Sequence, residues 1–262
     1  MTEMKVYKPG TFCWTDLSTT DPAAAKKFYQ NLFGWHMVDT PAGPDMVYTM
    51  AELEDKPVAA LFQQSAEEQD QGIPPHWVSY VSVANAAETA TKAQSLGGTV
   101  LVGPFDVMDA GKMAVIQDPT GAVLSAWEPR VHSGAGLVNQ HGTLIWNELA
   151  TRDTDTAGKF YQQLFDWDSQ TQDMPAGPYT SFLNGDRMAA GMLKMTEEWG
   201  DIPPHWTVYF GADDCDTVAA KAKELGGEVL VPPRDIPSVG RFAVLQDPQG
   251  AAFSIISLPN PD

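Results

Sequence analysis

Apolar and polar residues alternate over most of this chain, and four times the alternation gives way to a helical spacing. Residues 11–17 (Thr-Phe-Cys-Trp-Thr-Asp-Leu) predict a strand. Asp21-Pro22 then opens a helix, with Asp as its cap and Pro in its first turn. Its apolar positions Ala24, Phe28, Tyr29 and Leu32 recur at three and four, and Gly34 ends it. Three short strands are predicted near 34–39, 46–51 and 57–63, separated by Pro, Gly and Asp turns. The same order follows at once: a strand at 76–83, a helix at 86–97 closed by Gly97-Gly98, and strands near 99–105, 112–117 and 122–127. Asp118-Pro119-Thr120-Gly121 makes the last turn. Each half-chain is therefore β-α-β-β-β twice over.

The second half repeats the first. A shift of 132 places Trp14, Asp21, Phe28, Tyr29 and Trp35 on Trp146, Asp153, Phe160, Tyr161 and Trp167. A shift of 129 then places His76, Trp77 and Tyr80 on His205, Trp206 and Tyr209, and Gln117-Asp118-Pro119 on Gln246-Asp247-Pro248. A period this long is a domain, not a solenoid repeat. The second half is predicted at 143–149, 153–165, 166–171, 178–184, 187–194, 205–211, 214–226, 228–234, 241–246 and 251–256. The predicted division is a first domain over 1–130, a Gly- and Ser-containing linker over 131–142 and a second domain over 143–262. The stretches 64–74 and 195–203 read as exposed loops. The predicted fold class is α+β: two tandem domains, each of paired βαβββ units forming a half-open, barrel-like cup with helices outside.

Composition narrows the partners. A 43% hydrophobic content with 8 Trp, 11 Phe and 7 Tyr supplies two cores, and a formal charge of −18 repels phosphate backbones and anionic lipid. Neither nucleic acid nor a membrane is expected as a partner. No apolar run reaches the length of a membrane span, and the first residues lack a signal-peptide core, so a cytoplasmic protein is expected. Cys13 and Cys215 do not correspond in the repeat and make no metal motif, as suits a reducing compartment.

Asp21-x6-Phe-Tyr on the first helix, Leu96-Gly97-Gly98 after the second and Asp118-Pro119-x-Gly121 before the last strand resemble the vicinal oxygen chelate superfamily, and do so twice. That superfamily includes glyoxalase I, bleomycin-resistance proteins and extradiol dioxygenases. Pro9-Gly10-Thr11-x-x-Trp14, Phe33-Gly34-Trp35 and Pro74-Pro75-His76-Trp77 are similar to a tandem actinobacterial subgroup labelled hydroxylase or glyoxalase-like. The resemblance implies a divalent metal on the concave face, held by His, Gln or Glu so that two vicinal substrate oxygens can chelate it. It places those ligands seven residues before each helix-opening Asp and seven after the Asp of Asp-Pro-x-Gly. Here those positions are Trp14 and Ser125 in the first half and Trp146, Trp206 (counted from Asp213) and Ser254 in the second, with Trp77 the repeat equivalent of Trp206. An indole nitrogen only donates and Ser is a poor substitute for carboxylate, so the usual metal triad is absent in the same way from both halves. His76 and His205 lie next to ligand positions but read as residues bonding locally at the loop-to-strand junction. No cofactor is expected, with a divalent metal at a displaced site left open.

Strand parity puts Phe12, Trp14 and Asp16 on one face and pairs Ser125 with Trp127. The first cup is then expected to hold Trp14, Asp16, Trp77, Ser125 and Trp127, and the second Trp146, Glu148, Trp206, Ser254 and Ile256. Two readings stand for the Trp residues, core packing and ligand wall, and two for Asp16 and Glu148, an indole partner and a general acid or base. Three functions follow: a small-molecule protein binding a hydrophobic or aromatic metabolite as pathway accessory or sequestering agent, a superfamily lyase, oxygenase or hydroxylase-type enzyme, and a ligand-free interaction protein. Four units in one chain complete both cups, so a monomer or a homodimer is expected.

Overall fold

The computed structural model describes residues 2–43, 46–174 and 177–259; the outer domain limits at residues 1 and 262 lie outside them. The first half runs β1 (Thr2–Glu3), β2 (Phe12–Thr19), α1 (Pro22–Phe33), β3 (His36–Pro41), β4 (Val47–Leu53), β5 (Lys56–Gln63), α2 (Ala66–Asp70), β6 (His76–Ser82), α3 (Ala86–Ser95), β7 (Thr99–Val107), β8 (Gly111–Gln117) and β9 (Val123–Pro129). After β10 (Leu137–Val138) comes the second copy: β11 (Leu144–Thr151), α4 (Thr154–Phe165), β12 (Asp168–Met174), β13 (Gly177–Asn184), β14 (Arg187–Lys194), β15 (His205–Gly211), α5 (Cys215–Glu224), β16 (Glu228–Ile236), β17 (Gly240–Gln246) and β18 (Ala252–Ser257).

Local chemistry sets the helix ends. The Asp21 carboxylate accepts from the Ala24 N–H, and Gly34, left-handed at φ 76°, returns its N–H to Gln30. In the repeat Asp153 caps onto Thr156, and Asp166 takes the left-handed position at φ 56°. The stretch 64–74 is not wholly loop: Ser65 and Glu68 form a reciprocal capping box that starts α2. Its counterpart holds a short 3-10 turn at Glu197–Trp199.

Each half forms one eight-stranded sheet. The orders are β3-β4-β5-β2-β6-β9-β8-β7 and β12-β13-β14-β11-β15-β18-β17-β16. The antiparallel pairs β2–β6 and β11–β15 join the two βαβββ units of each half. The helices lie on the face away from the cup, as expected, but that face is not turned to solvent. One core joins α1, β2, β5 and Trp77 to Phe210, α5, Leu245 and Phe253. The other joins Val81, Ile116 and Leu124 to α4, Leu149, Phe182 and Trp206. The first unit thus packs on the fourth and the second on the third, back to back.

The repeated aromatic motifs make this interface reciprocal. Trp35 Nε1 donates to the Gly142 carbonyl at 2.7 Å, and Trp167 Nε1 to Gly10 at 2.8 Å. Tyr29 donates to Asp247 at 3.0 Å and accepts from Trp77, while Tyr161 accepts from Trp206 beside Asp118. Ser79 and Asn147 bond at 2.7 Å where the sheets meet. The expected linker is a fixed strap: β10 pairs with β1, Ala135 N–H donates to Cys13, and Gly136 N–H to Pro57.

Candidate functional site

The two cups are built on β2 and β11. In the first, Trp14 Nε1 donates to the Tyr48 hydroxyl at 3.0 Å, and Tyr48 donates to Asp16 Oδ2 at 2.9 Å. Tyr80 donates to the same oxygen at 2.9 Å. Asp16 Oδ1 is buried without a partner. Burial pushes the Asp16 carboxyl up to about 7, against the pull of the two tyrosine hydroxyls. The second cup repeats the set. Trp146 Nε1 donates to Tyr179 at 3.1 Å, Tyr209 donates to Glu148 Oε1 at 2.7 Å, and Tyr179 lies beside the same carboxyl. Desolvation raises Glu148, and the two hydroxyls lower it. Ser125 and Ser254, next to Tyr80 and Tyr209 across the parallel pairs β6–β9 and β15–β18, are fully buried with no well-formed hydrogen bond. A Trp–Tyr–carboxylate–Tyr–Ser constellation therefore occurs twice.

Sequence parity placed part of this set and misplaced the rest. Trp14, Asp16, Ser125 and Trp127 line the first cup, with Trp127 Nε1 bonded to the His132 carbonyl at 2.9 Å. Trp146, Glu148, Ser254 and Ile256 line the second. Trp77 and Trp206 do not: they register with Leu17 and Leu149 and face the helices, against Tyr29 and Tyr161. The count of seven had been taken from Asp213, whereas the caps are Asn85 and Asp214. From those caps it falls on Val78 and Thr207, opposite Asp16 and Glu148. Phe12 also leaves the cup, because the register shifts between it and Trp14; its ring packs on Trp206 at 5.0 Å. His76 and His205 bond locally, with Nδ1 at 2.9 and 2.8 Å from the carbonyls of Pro74 and Pro203. Tyr48, Tyr80, Tyr179 and Tyr209 were missed. Their signal was available, since Tyr80 and Tyr209 coincide in the repeat and share strand parity with Val78 and Thr207.

The donor set fits a divalent cation poorly in either cup. Each offers one carboxylate already bonded by tyrosine, phenols whose pKa burial raises further, an indole N–H and one serine, to which the first cup adds the single His132 ring. Among the described residues no three His, Cys, Asp or Glu side chains gather as metal ligands.

The cups differ in cover. The strap and Tyr7 close the first: Tyr7 donates to Ala135 at 2.8 Å, and the His132 ring sits edge-on to Trp14 at 4.5 Å. In the second, Trp146, Glu148 and Tyr179 are only partly buried. A shallow hollow bounded by Ile236, Val239, Arg241 and Leu258 adjoins it and shares Ile236 and Leu258 with its apolar cluster.

Known proteins agree with this architecture. The family model of the Glyoxalase/Bleomycin resistance protein/Dioxygenase superfamily matches residues 11–125 and 143–255. The chain is 45% identical over 258 residues to the putative glyoxylase CFP32 of Mycobacterium tuberculosis, covering 98% of each. It is 33% identical over 267 residues to the anthracycline biosynthesis protein DnrV of Streptomyces peucetius, covering 97% of this chain and 96% of that one. The fold is that of the Mn(II)-bound glyoxalase from Novosphingobium aromaticivorans, with TM-score 0.67, 14% identity and coverage of 95% and 82%. It is equally that of the 2,3-dioxygenase LapB from Pseudomonas sp. KL28, with TM-score 0.67, 11% identity and coverage of 97% and 93%. With the β-α-β-β-β units, the paired sheets and the duplicated cups, this chain belongs to the glyoxalase/bleomycin resistance protein/dioxygenase superfamily.

Proposed function

We propose that this protein binds a flat, hydrophobic or aromatic small molecule in its second cup, without the metal triad usual in the superfamily, as a pathway accessory or sequestering protein. The observation that carries the reading is the Trp–Tyr–carboxylate–Tyr–Ser constellation left only partly buried at Trp146, Tyr179 and Glu148. An indole face supplies apolar area, and a few oriented polar groups fix the ligand edge. The Ser254 hydroxyl, buried beside Tyr209, has no well-formed partner of its own. The relationship to an anthracycline biosynthesis protein supports a role beside aromatic chemistry.

A second reading is favoured by one observation. Glu148 is a carboxyl of raised pKa held between two tyrosine hydroxyls, the arrangement of a general acid or base, and Asp16 repeats it in the closed cup. On that reading the protein is a superfamily enzyme acting by proton transfer or through a displaced metal.

Titration with 1-naphthol, followed by tryptophan fluorescence with and without EDTA, separates the binding reading from an enzyme that works through a displaced metal. The binding reading expects saturable quenching that EDTA leaves unchanged and that Trp146→Ala abolishes. Stoichiometric metal in the purified protein, with quenching lost on chelation, overturns it in favour of the enzyme.

A further inference from the structure

The first cup holds everything that makes the second a candidate ligand site, and its entrance holds a piece of the chain itself. The His132 ring lies edge-on to Trp14 at 4.5 Å and 84°, and 5.9 Å from the Trp127 ring. Its Nε2 is buried with no partner, and burial lowers its pKa to about 4, so the ring is neutral at pH 7. The segment carrying it is built to stay. His132 N–H donates to Ala110 at 3.1 Å, its carbonyl accepts from Trp127, and Ala135 is bonded on one side to Cys13 and on the other to Tyr7. Gly134 sits at φ 126°, where a Cβ would land on the Cys13 carbonyl, so only glycine brings the backbone this close. A Cβ on Gly136 would come within 3.1 Å of Lys56 Cβ.

We infer that His132 is a tethered occupant of the first cup, taking there the place a planar aromatic ring takes against Trp146 in the second. The inference rests on the reading of the cups as ligand sites and sharpens it in two ways. It sets the stoichiometry at one ligand per chain, in the second cup. It also names the ligand class: a neutral flat ring, set edge to face on an indole, with a polar edge atom. The ring nitrogen that His132 leaves unpaired marks that edge. In the first cup the unpartnered groups on the floor are Asp16 Oδ1 and Ser125 Oγ. The second cup offers Ser254 and the bonded Glu148.

The test removes the ring and returns it in solution. A cavity left by an aromatic side chain accepts a small molecule of its shape. His132→Ala is expected to bind 4-methylimidazole at millimolar concentration, with the Trp14 indole N–H resonance (assigned through Trp14→Phe) shifting on titration and the melting temperature partly restored. In the wild type that resonance should not move. His132→Phe, which keeps a ring and discards both nitrogens, should retain the closed cup and most of the stability. If the alanine variant does not fold, His132→Leu takes its place as the ringless variant in both comparisons. A folded His132→Ala whose Trp14 resonance ignores 4-methylimidazole overturns the inference, as does a His132→Phe no more stable than His132→Ala. The ligand stoichiometry is read separately. 1-Naphthol should bind once per chain in wild type and twice in His132→Ala. A second cup that never binds it sinks the proposed function, while the 4-methylimidazole result still decides the role of His132.

Discussion

Trp14 and Trp146 make the same bond to a tyrosine, yet Trp14 is 3% exposed and Trp146 is only partly buried. The carboxyls behind them differ likewise: Asp16 is 2% exposed and Glu148 is half-buried. One polar set in two covers shows what each cover does. Under the strap it is a buried core network that still leaves Asp16 Oδ1 and Ser125 Oγ unpartnered, costly to disturb and covered by the chain itself. Without a strap the same set is partly open to solvent, with a carboxyl at its floor.

The sharpest contrast sits at one equivalent position, Ala60 in the first cup and Gly191 in the second, which face Asp16 and Glu148 respectively across the sheet. A Cβ on Gly191 would land on the Tyr179 hydroxyl and lie 3.0 Å from Trp146 Nε1. Gly191→Ala is therefore expected to expel Tyr179, break the Trp146–Tyr179 bond and weaken 1-naphthol binding at least about tenfold, equivalent to about 1.4 kcal/mol. Ala60→Gly should leave binding unchanged and lower stability by about 1 kcal/mol or less. Equal effects on binding would show that the cups are not specialised.

Next in size is the loss of each carboxyl, measured by urea unfolding. Asp16→Ala strands the hydroxyls of Tyr48 and Tyr80 in the core and should cost about 2–4 kcal/mol. Glu148→Ala strands Tyr209, which is as buried as Tyr80, but removes a carboxyl that is itself only partly buried, and should cost less, about 1–2 kcal/mol. An equal cost would mean that the second cup is as dry as the first.

How much of this contrast was legible follows from where periodicity holds. The β-α-β-β-β order, the helix caps Asp21 and Asp153 and the cup positions of Trp14, Asp16, Trp146 and Glu148 came from alternation and counting, because those strands run unbroken from the counted residue to the cap. Trp77 and Trp206 were misplaced by one residue, since Asp213 looked like a cap and Asp214 is the cap. A one-residue slip turns a strand residue to the opposite face. The Phe12 bulge has no marker in the local sequence. The strap was read from its Gly content as a linker, although Gly134 is there for close approach to Cys13. Back-to-back packing of first on fourth and second on third unit was not readable from either half alone, since it depends on how the repeats meet.

A smaller effect tests the reciprocity of that interface. Tyr29 bonds Asp247 and Trp77, whereas Tyr161 accepts from Trp206 while Asp118 Oδ2 lacks a well-formed partner. Tyr29→Phe should therefore cost about 1–2 kcal/mol, and Tyr161→Phe less, in thermal unfolding. The reverse order would place the stronger lock on the second-on-third side.

The subtlest difference between the cups lies in pH. Burial lifts Asp16 from its ordinary value near 4 to about 7, so the folded state holds a proton that the unfolded chain releases. Its stabilising contribution is complete below pH 4 and is lost as pH rises towards 7. The groups facing it, Tyr48 and Tyr80, are raised by burial and stay protonated throughout. His132 on the strap acts in the opposite sense: with its pKa lowered to about 4, it withdraws stability as pH falls from about 6.5 towards 4. The two slopes overlap and partly cancel in the wild type. His132→Phe removes the acid-side loss and should expose a steady decline in unfolding free energy from pH 4 to 7. Adding Asp16→Asn should flatten it. Glu148 is raised in the same direction by burial but lies in the less covered cup, so Glu148→Gln should change the slope less than Asp16→Asn does. If the two amides flatten the curve equally, the carboxyls share one environment and the strap does not set the difference between the cups.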